Sequence, residues 1–231
     1  IRGMKHAYFC MLSVVGLLSL VGCSATKFVP DGQYLLNKAT VKVEDTHEVL
    51  SQDLRNYLQQ KQNTEILGFW KLQLGIYNTA SQDTAKWTSR NARKIGEPPV
   101  IFSEELTERS MQQLENAMDN KGYFQAEIDT TKEVKDKKLN LTYHVTANTP
   151  YHIRNYTISF PNADLQQIAA SERFRLLHEG MRFDVDAMNQ ERQRVASAMR
   201  RNGCYYFDKE LIRFVADTTW GRRQVDVTIC L

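Results

Sequence analysis

"FSEELTERSMQQLENAMDNKGYF", residues 102–124, has the pattern of a capped amphipathic helix that ends at a glycine. Ser103 belongs to the residue types that cap helix N-termini, and Glu104 and Glu105 follow it where the helix dipole favours acids. Gly122 can adopt the left-handed conformation in which many helices end. Between these ends, small or apolar residues share one helical face, at Leu106, Ser110, Leu114 and Met118. The stretch therefore predicts one helix with defined ends.

The same pattern recurs 81 residues later, in "FDVDAMNQERQRVASAMRRNGCYYF", residues 183–207. Asp184 takes the place of the capping serine, and Gly203 takes the place of Gly122. The second helix has its apolar face at Val185, Met188, Val195 and Met199. A helix with the same start, face and end indicates an internal repeat.

Each predicted helix is followed by an exit segment, a charged turn and an alternating strand. Apolar and polar residues alternate over 139–145 in the first copy and over 225–231 in the second, which is the period of a half-buried strand. The turns before these strands contain "KDKK" and "WGRR". We therefore expect two hairpins, whose first strands cover 124–134 and 205–217.

Upstream of each helix lie another strand and another helix. The strands are "KATVKV", residues 38–43, and "NYTISF", residues 155–160, and the helices cover 47–60 and 163–177. The repeat is thus β-α-α-β-β, twice over, which is an α+β fold. The boundary between the copies falls at 148–150, because the proline there favours an extended link.

The first copy is longer than the second by 36 residues, because the first strands are offset by 117 residues and the long helices by 81. The surplus falls around 61–99 and is too apolar for a free loop of that length. Leu72, Leu74 and Ile76 fit a strand, whereas Phe69, Leu72 and Ile76 fit a helix, and both interpretations stay open. The segment either packs on its own domain as a satellite cluster or offers a surface to a partner or a membrane.

The first 25 residues differ in kind from the rest. An uncharged apolar run of 14 residues, Ala7–Leu20, is shorter than the roughly 20 residues of a spanning helix and has the length of a signal-peptide core. "LVGC", residues 20–23, resembles the bacterial lipobox, which is cleaved before a diacylated cysteine. We interpret residues 1–22 as a lipoprotein signal peptide and Cys23 as the site of lipidation by palmitate-type chains. The alternative is that Cys23 is an ordinary small hydrophobe at the end of a membrane anchor.

Export would leave Cys204 and Cys230 as the cysteines able to form a disulfide. The predicted second hairpin places Cys230 opposite about residue 211, some distance from Cys204. The spacing therefore favours two free thiols.

The composition argues against several classes of function. The formal net charge is only +3, and acids are interleaved with the arginines of the last third. The sequence therefore does not predict a positively charged surface suited to binding nucleic acid. The histidines lack the spacing of metal ligands, and the sequence contains no phosphate loop, nucleophile elbow or zinc-protease motif. We therefore expect neither an enzyme nor a cofactor or metal site.

Three stretches together resemble the POTRA modules of the BamA/TamA family of outer-membrane assembly proteins. They are "KFVPDGQYLLNKATVKV", residues 27–43, then residues 96–128 with "GYF" at the helix exit, and residues 179–207. With the lipobox before them, they are similar to the lipid-anchored, TamA-like members. The resemblance implies a POTRA-like domain over 23–149, which holds the insertion, and a second over 150–231. Each would have a three-stranded mixed sheet with two helices on one face.

The resemblance also implies a function and a location. In POTRA modules the strand after the second helix is a sheet edge, to which an extended polypeptide can add as a further strand. The candidate residues on these edges are Phe124, Ala126, Ile128, Thr130, Phe207, Lys209, Leu211 and Arg213. The implied protein is held by lipid at the periplasmic face of the outer membrane. Its partners are unfolded outer-membrane protein clients and other proteins of the assembly machinery, not nucleic acid.

Members of this family continue into a membrane barrel after their POTRA modules. The sequence up to Leu231 contains no series of lipid-facing alternating strands of about 10 residues each. We therefore expect it to be part of a longer protein that carries the barrel. The alternative function is a lipoprotein scaffold for envelope or cell-division proteins, without a barrel.

Overall fold

The computed structural model describes residues 25–67, 71–81, 86–170 and 175–231. The predicted signal peptide and the lipidation candidate Cys23 lie outside the described residues, as do parts of the insertion and of the helix predicted over 163–177. Within the described ranges, no helix is both long and apolar enough to cross a bilayer.

The first copy of the repeat contains a three-stranded sheet whose central strand is the last in sequence. Its strands are β1 (Leu35–Val43), β2 (Glu127–Lys135) and β3 (Lys138–Thr146). Their spatial order is β1-β3-β2. The inward side chains of β3 are all buried, at Leu139, Leu141, Tyr143 and Val145. The alternating strand predicted from the sequence is therefore confirmed, and it forms the centre of the sheet.

This first sheet is mixed. A two-residue turn joins β2 to β3, and its residues Asp136 and Lys137 have φ angles of 50° and 59°, as a tight hairpin requires. The amide of Leu35 donates to the carbonyl of Lys137 at 2.9 Å, and the amide of Glu44 donates to the carbonyl of Val145 at 3.1 Å. Because residue numbers rise in the same direction between these two bonds, β1 runs parallel to β3.

The second copy contains a sheet of the same topology. Its strands are β4 (His152–Ser159), β5 (Arg213–Asp217) and β6 (Gln224–Cys230). Their order is β4-β6-β5, with β4 parallel and β5 antiparallel to β6. The register of β4 slips between Ile153 and Asn155, so Arg154 occupies a bulge. The predicted α+β fold with two three-stranded mixed sheets is thus confirmed.

The second hairpin is shifted relative to the prediction. Cys230 pairs with Arg213, not with residue 211, because the hairpin turns about Gly221 and Arg222, one residue later than expected. Both Cys204 and Cys230 are free thiols in this structure.

Six α-helices lie within the described ranges. They are α1 (Ser51–Leu54), α2 (Leu72–Asn78), α3 (Trp87–Ile95), α4 (Glu104–Asn120), α5 (Ala163–Ala169) and α6 (Val185–Arg201). α4 and α6 are the two long helices of the repeat, and each begins after its predicted cap. Ser103 Oγ accepts from the amide of Leu106 at 3.4 Å, and Asp184 Oδ1 accepts from the amides of Asp186 and Ala187 at 2.8 and 3.2 Å.

Both long helices also end in the same hydrogen-bond motif. Gly122 and Gly203 have φ angles of 85° and 99°. After each glycine, the next amide donates at 3.0 Å to the carbonyl of a methionine five residues before it, Met118 or Met199. This is the Schellman motif, and it recurs at the predicted offset.

The helix predicted over 47–60 is shorter than expected. It consists of α1 and a 3-10 turn at Arg55–Tyr57, after which Leu58 is extended. The chain leaves the helix because the side chains that follow bind other segments. Gln62 Oε1, for example, accepts from the amide of Ala39 in β1 at 3.0 Å.

The first helix of the second copy is also shorter than the predicted 163–177, since α5 ends at Ala169. Its start is capped by the side chain of Asn162, as a helix N-terminus requires. Further along, the amide of Leu176 donates to the side chain of Glu191 at 3.0 Å. That bond replaces the one that a continued helix would have made.

The core of the second copy lies between its sheet and its helices. Two clusters of buried side chains fill it, one around Val195 and Met199 of α6 with Ile229 of β6, and the other around Met188 with Val227. The apolar face predicted for α6 from periodicity is therefore confirmed as a core face.

In the insertion, Leu72–Asn78 forms a helix, as one of the two interpretations expected, while Phe69 lies outside the described residues. Leu74 of α2 is buried with Val29 and Leu35. The insertion therefore shares a satellite core with the start of its own copy.

Close packing of α2 on α3 depends on Gly96. A Cβ at this position would lie 2.7 Å from the carbonyl oxygen of Ala92 and would also meet the backbone of Tyr77. A side chain here would push the two helices apart.

By its packing, the chain divides into two compact units. One comprises the described residues up to Thr40 with Gln59–Arg109 and Thr130–Tyr143, and the other comprises Val41–Leu58, Ser110–Asp129 and His144–Leu231. The second unit thus contains the end of α4 and its glycine cap as well as the whole second copy.

Within this second unit, Gly122 lies against another stretch of backbone. Its carbonyl accepts from the amide of Tyr151 at 2.8 Å, and Phe183 donates to the carbonyl of Tyr151 at 2.9 Å. A Cβ on Gly122 would lie 2.5 Å from the carbonyl oxygen of Phe183, whereas a Cβ on Gly203 would meet nothing within 4 Å. The two equivalent caps therefore have different surroundings.

Candidate partner-binding edge strands

Strand β2 is the end strand of the first sheet and the longer of the two predicted edges. It has nine residues, of which Ile128 and Thr130 are half-buried and Val134 is 51% exposed. Ala126 lies just before it, in a turn where its amide donates to the carbonyl of Tyr123 at 3.0 Å. A long end strand of this kind presents backbone groups to which a further strand can pair.

Strand β5 is the end strand of the second sheet and is much shorter than the predicted 205–217, since it begins at Arg213. The chain before it forms a 3-10 turn at Lys209–Leu211, and the side chain of Asp208 accepts from the amide of Glu210 at 2.9 Å. An aspartate that caps a turn in this way competes with extended backbone. Of the four candidates on this edge, only Arg213 therefore lies in a strand.

The aromatic candidates contribute to the fold. Phe124 precedes β2, and its ring packs on those of Tyr151 and Phe183 at centroid distances of 5.0 and 5.2 Å. Phe207 precedes β5 and packs against the core of the second copy, while its carbonyl accepts from Arg200 at 3.0 Å. The structure thus brings Ile128 and Thr130 into an edge strand and leaves these rings beside the edges.

Ion pairs balance the charge near β2. Lys132 Nζ lies 2.6 Å from Glu104 Oε2 and 5.5 Å from the centroid of the Phe102 ring. Lys137 Nζ, in the hairpin turn, lies 2.6 Å from Asp31 Oδ1. The hydrogen bond and the charge of Lys137 lower the pKa of Asp31 from its ordinary value.

The second sheet has a charged group of its own next to its hairpin. The guanidinium of Arg154, at the bulge, donates to both carboxylate oxygens of Asp226 and stacks 3.8 Å from the ring centroid of Trp220. The hydrogen bond from Arg154 lowers the pKa of Asp226. Hydrogen bonds from Thr219 likewise lower the pKa of Asp217 at the end of β5.

A buried carboxylate that the sequence patterns did not single out lies in α6. Glu191 is fully buried, and it accepts from Arg194 at 2.7 and 2.8 Å, from the hydroxyl of Tyr156 at 3.2 Å and from the amide of Leu176. Burial, followed by the charge of Glu191, raises the pKa of Tyr156. Glu191 stands three residues after the buried Met188, so an acid on an apolar helical stripe is the signal that identifies such a site.

Lys71, just before α2, is a half-buried charge that the sequence did not reveal. Its ammonium donates to the carbonyl and to Oδ1 of Asn37 and lies 3.7 Å from Glu65 Oε1. Burial lowers the pKa of Lys71, and the carboxylate of Glu65 opposes this shift. The lysine ties the insertion to β1.

In the part of the chain that the structure describes, no group of three or more His, Cys, Asp or Glu side chains could hold a metal ion.

Residues 39–148, from within β1 to just beyond β3, match the family model of POTRA, described as "Surface antigen variable number repeat". No curated protein matches the chain in sequence. The assignment of the fold rests on this match and on the strand order that both sheets share.

Several solved structures are similar to the chain. POTRA3-5 of BamA from Haemophilus influenzae is 18% identical with a TM-score of 0.41, and the match covers 88% of this chain and 68% of that one. POTRA1-2 of the periplasmic domain of Omp85 from Anabaena is 11% identical with a TM-score of 0.37, covering 87% and 96%. BamA from Haemophilus ducreyi lacking POTRA domains 1-3 is 14% identical with a TM-score of 0.39, covering 85% and 29%.

Proposed function

From the match of residues 39–148 to the POTRA family model, we propose that the chain is the periplasmic POTRA region of an outer-membrane protein assembly or translocation factor. Two tandem modules form this region, one over 23–149 and one over 150–231. They bind client polypeptides or accessory proteins of the assembly machinery by adding an extended segment to a sheet edge.

The observation that carries this proposal is the nine-residue end strand β2. β3 fills the centre of the sheet and supplies its buried side chains, so a strand added beyond β2 leaves the core intact. β5 has only five residues and is a shorter template. We therefore place the main binding edge at β2, around Ile128 and Thr130, and a weaker one at β5 from Arg213 onward.

We further propose that acyl chains on Cys23 hold the region at the periplasmic face of the outer membrane. The sequence order of apolar run, Gly22, Cys23 and polar residues supports this proposal. Each buried methylene contributes about 0.8 kcal/mol, so two or more chains keep a protein on a membrane for long periods. Mass spectrometry of the mature protein from its native host tests it, since an unmodified Cys23 would contradict the anchor.

A titration of the isotope-labelled full chain tests the binding edge. The probe is an extended peptide with the alternating apolar pattern of an outer-membrane strand. We expect chemical-shift changes and slower hydrogen exchange for the amides of β2, with smaller changes in β5 and none at the buried centre of β3. If both end strands stay unchanged at saturating peptide, binding by strand addition is wrong.

Two matched variants sharpen this experiment. Ile128→Lys places a charge on the binding edge, and charged side chains on an edge oppose strand addition. Val215→Lys makes the same change on β5, where Val215 is exposed. We expect Ile128→Lys to weaken peptide binding roughly tenfold, which corresponds to 1.4 kcal/mol, and Val215→Lys to have a small effect. Equal weakening by both would place the peptide elsewhere.

A further inference from the structure

Helix α3 of the insertion has a basic and aromatic surface that its packing leaves exposed. The stretch "KWTSRNARKI", residues 86–95, contains four cations and no acid. Trp87 is 69% exposed and Ile95 is 66% exposed. The exposed cations beside them are Lys86, Arg90 and Lys94. Large apolar side chains and cations of one sign are thus displayed together.

These side chains share one face of the helix. Arg90 and Lys94 follow Trp87 by three and seven residues, and Ile95 follows it by eight, which are the spacings of neighbours on a helical surface. Ser89, on the opposite side, is buried, and its hydroxyl oxygen accepts from the amide of Ser81 at 3.0 Å. The inner side of α3 is fixed by packing, and its outer face is available.

The inner side of the insertion is also tied to the residues that directly follow the proposed lipidation site. Lys27 Nζ donates to the carbonyls of Asn78 and Ala80, at 3.0 and 2.8 Å. The guanidinium of Arg93 lies 5.6 Å from the centroid of the Phe28 ring. Through these contacts, α2, α3 and the chain from Lys27 to Phe28 form one packed group.

The covalent distance from this group to Cys23 is short. Ala25 packs against the cluster around Leu74, and two residues of chain span at most about 7 Å. An acyl chain on Cys23 would therefore enter a bilayer close to the insertion. If Cys23 carries no acyl chain, the positive charge and the exposed side chains of α3 are unchanged.

We propose that the exposed face of α3 is a membrane-contact surface that binds bilayers containing anionic phospholipid. Its cations complement the negative headgroups, and lysine or arginine near such a surface gains about a fivefold affinity each. Trp87 suits the interface, because its ring is apolar and its N–H is polar. Ile95 adds apolar area beside it, as in helices that lie in the plane of the interface.

The apolar members of the face favour a bilayer over other anionic partners. A nucleic acid or an acidic protein would neutralise Arg90 and Lys94, but it would not require an exposed Ile95 beside them. Membrane contact also agrees with the two-signal rule, by which a lipid chain and a basic patch together give stable anchoring.

Co-sedimentation with lipid vesicles tests this surface. A chain that begins at Ser24 keeps every residue that the structure describes and lacks the apolar run Ala7–Leu20, which would insert into bilayers by itself. The probes are vesicles of phosphatidylcholine alone and vesicles in which roughly a third is phosphatidylglycerol. We expect binding to the anionic vesicles, reduced by added salt, and little binding to the neutral ones.

Matched variants assign the binding to α3. Arg90→Gln/Lys94→Gln should weaken binding to the anionic vesicles about 25-fold, since each cation contributes about fivefold. Arg201→Gln/Lys209→Gln removes two exposed cations elsewhere and should leave binding nearly unchanged. Absent binding, equal binding to neutral vesicles, or equal loss in both variants would overturn the proposal.

A second measurement uses the full chain in the same vesicles. With Trp70→Phe and Trp220→Phe, the fluorescence reports on Trp87 alone. Lipids brominated in their acyl chains should quench it in anionic vesicles, and Arg90→Gln/Lys94→Gln should reduce the quenching. Unquenched, solvent-like emission would contradict contact with the bilayer even if the protein is anchored. Peptide binding at β2 is a separate readout, so either proposal can fail without the other.

Discussion

At the scale of single residues, Gly122 and Gly203 have the same role in their helices but different neighbours. Both take positive φ angles and both complete a Schellman motif. Only at Gly122 does the backbone of Phe183 fill the space that a side chain would need. Conformation alone thus accounts for Gly203, while conformation and space together account for Gly122.

This difference predicts unequal costs for the same substitution. Gly203→Ala should lower the free energy of unfolding by about 1–2 kcal/mol, the cost of a left-handed non-glycine residue. Gly122→Ala should lose a further 1–3 kcal/mol or so, because its methyl group overpacks against the carbonyl of Phe183. Urea unfolding of both variants measures the two costs. Equal destabilisation would show that the contact at Gly122 relaxes freely.

The lowered pKa of Asp226 predicts that the stability of the folded protein depends on pH. Its pKa in the folded protein is lowered by Arg154, so the pair contributes stability above the unfolded pKa of about 3.9 and loses it as pH falls through the folded value. Arg154→Met should therefore destabilise the protein near neutral pH and make less difference at a pH below the folded pKa of Asp226. Urea unfolding at the two pH values tests this, together with NMR titration of the Asp226 carboxyl. A constant difference would assign the effect of Arg154 to its stacking on Trp220.

At the scale of elements, a helix or strand could be predicted from the sequence when the contacts that determine its ends lie close to it in the chain. α4 and α6 could be predicted with both ends, because their caps, apolar faces and glycines all lie within the helices and their flanks. The helix over 47–60 could not, because Gln62 bonds to Ala39, which is far away in sequence. Tertiary bonds of this kind override local helix propensity.

The same reasoning applies to the candidate edges. Ile128 and Thr130 lie in the end strand β2, in the stretch where the resemblance to POTRA modules implied an edge. Lys209 and Leu211 were assigned to a strand wrongly, because the cap formed by Asp208 competes with extended structure. The exposed face of α3 could not be specified from sequence, since it depends on which side packs on α2.

The ion pair of Glu191 and Arg194 connects α6 to α5 and β4. We expect substitutions at these two residues to be strongly coupled in their effect on the free energy of unfolding. Arg194 donates to Glu191 and to the carbonyl of Ala169, and its side chain is only 11% exposed. Glu191→Gln should cost about 3–5 kcal/mol, because it leaves a buried arginine without its counter-charge. The double change Glu191→Gln/Arg194→Met should cost less than the sum of the single changes. Unfolding free energies of the three variants give the coupling, and additive losses would contradict it.

At the scale of the whole molecule, the boundary between the compact units differs from the boundary between the sequence copies, and this affects where the chain can be cut into stable fragments. Tyr123 is 1% exposed, and its hydroxyl lies 3.1 Å from Glu48 Oε2 and 3.3 Å from Arg182. Arg182 in turn lies 2.6 Å from Glu48. All three residues belong to the second compact unit, although the sequence repeat assigns Tyr123 and Glu48 to the first copy.

A fragment that ends at residue 149 should therefore be less stable than the same residues in the full chain. It loses Arg182 and Phe183, which contact Tyr123 and Phe124, and burial of an aromatic side chain contributes about 1.5–3 kcal/mol. We expect a lower melting temperature and binding of a hydrophobic dye. A fragment that melts with the full chain and binds no dye would show that the first copy is self-sufficient.

Because the two glycine caps have unequal surroundings, we expect the two positions to have evolved differently since the copies duplicated. If both copies arose from one ancestral unit, their caps began as equals, and close backbone contact later restricted one of them. Orthologues should then admit asparagine at 203, since asparagine tolerates the left-handed region, and should keep glycine at 122. Variation at 203 together with an unchanged glycine at 122 would indicate that the backbone contact arose after the duplication and now constrains only the first cap.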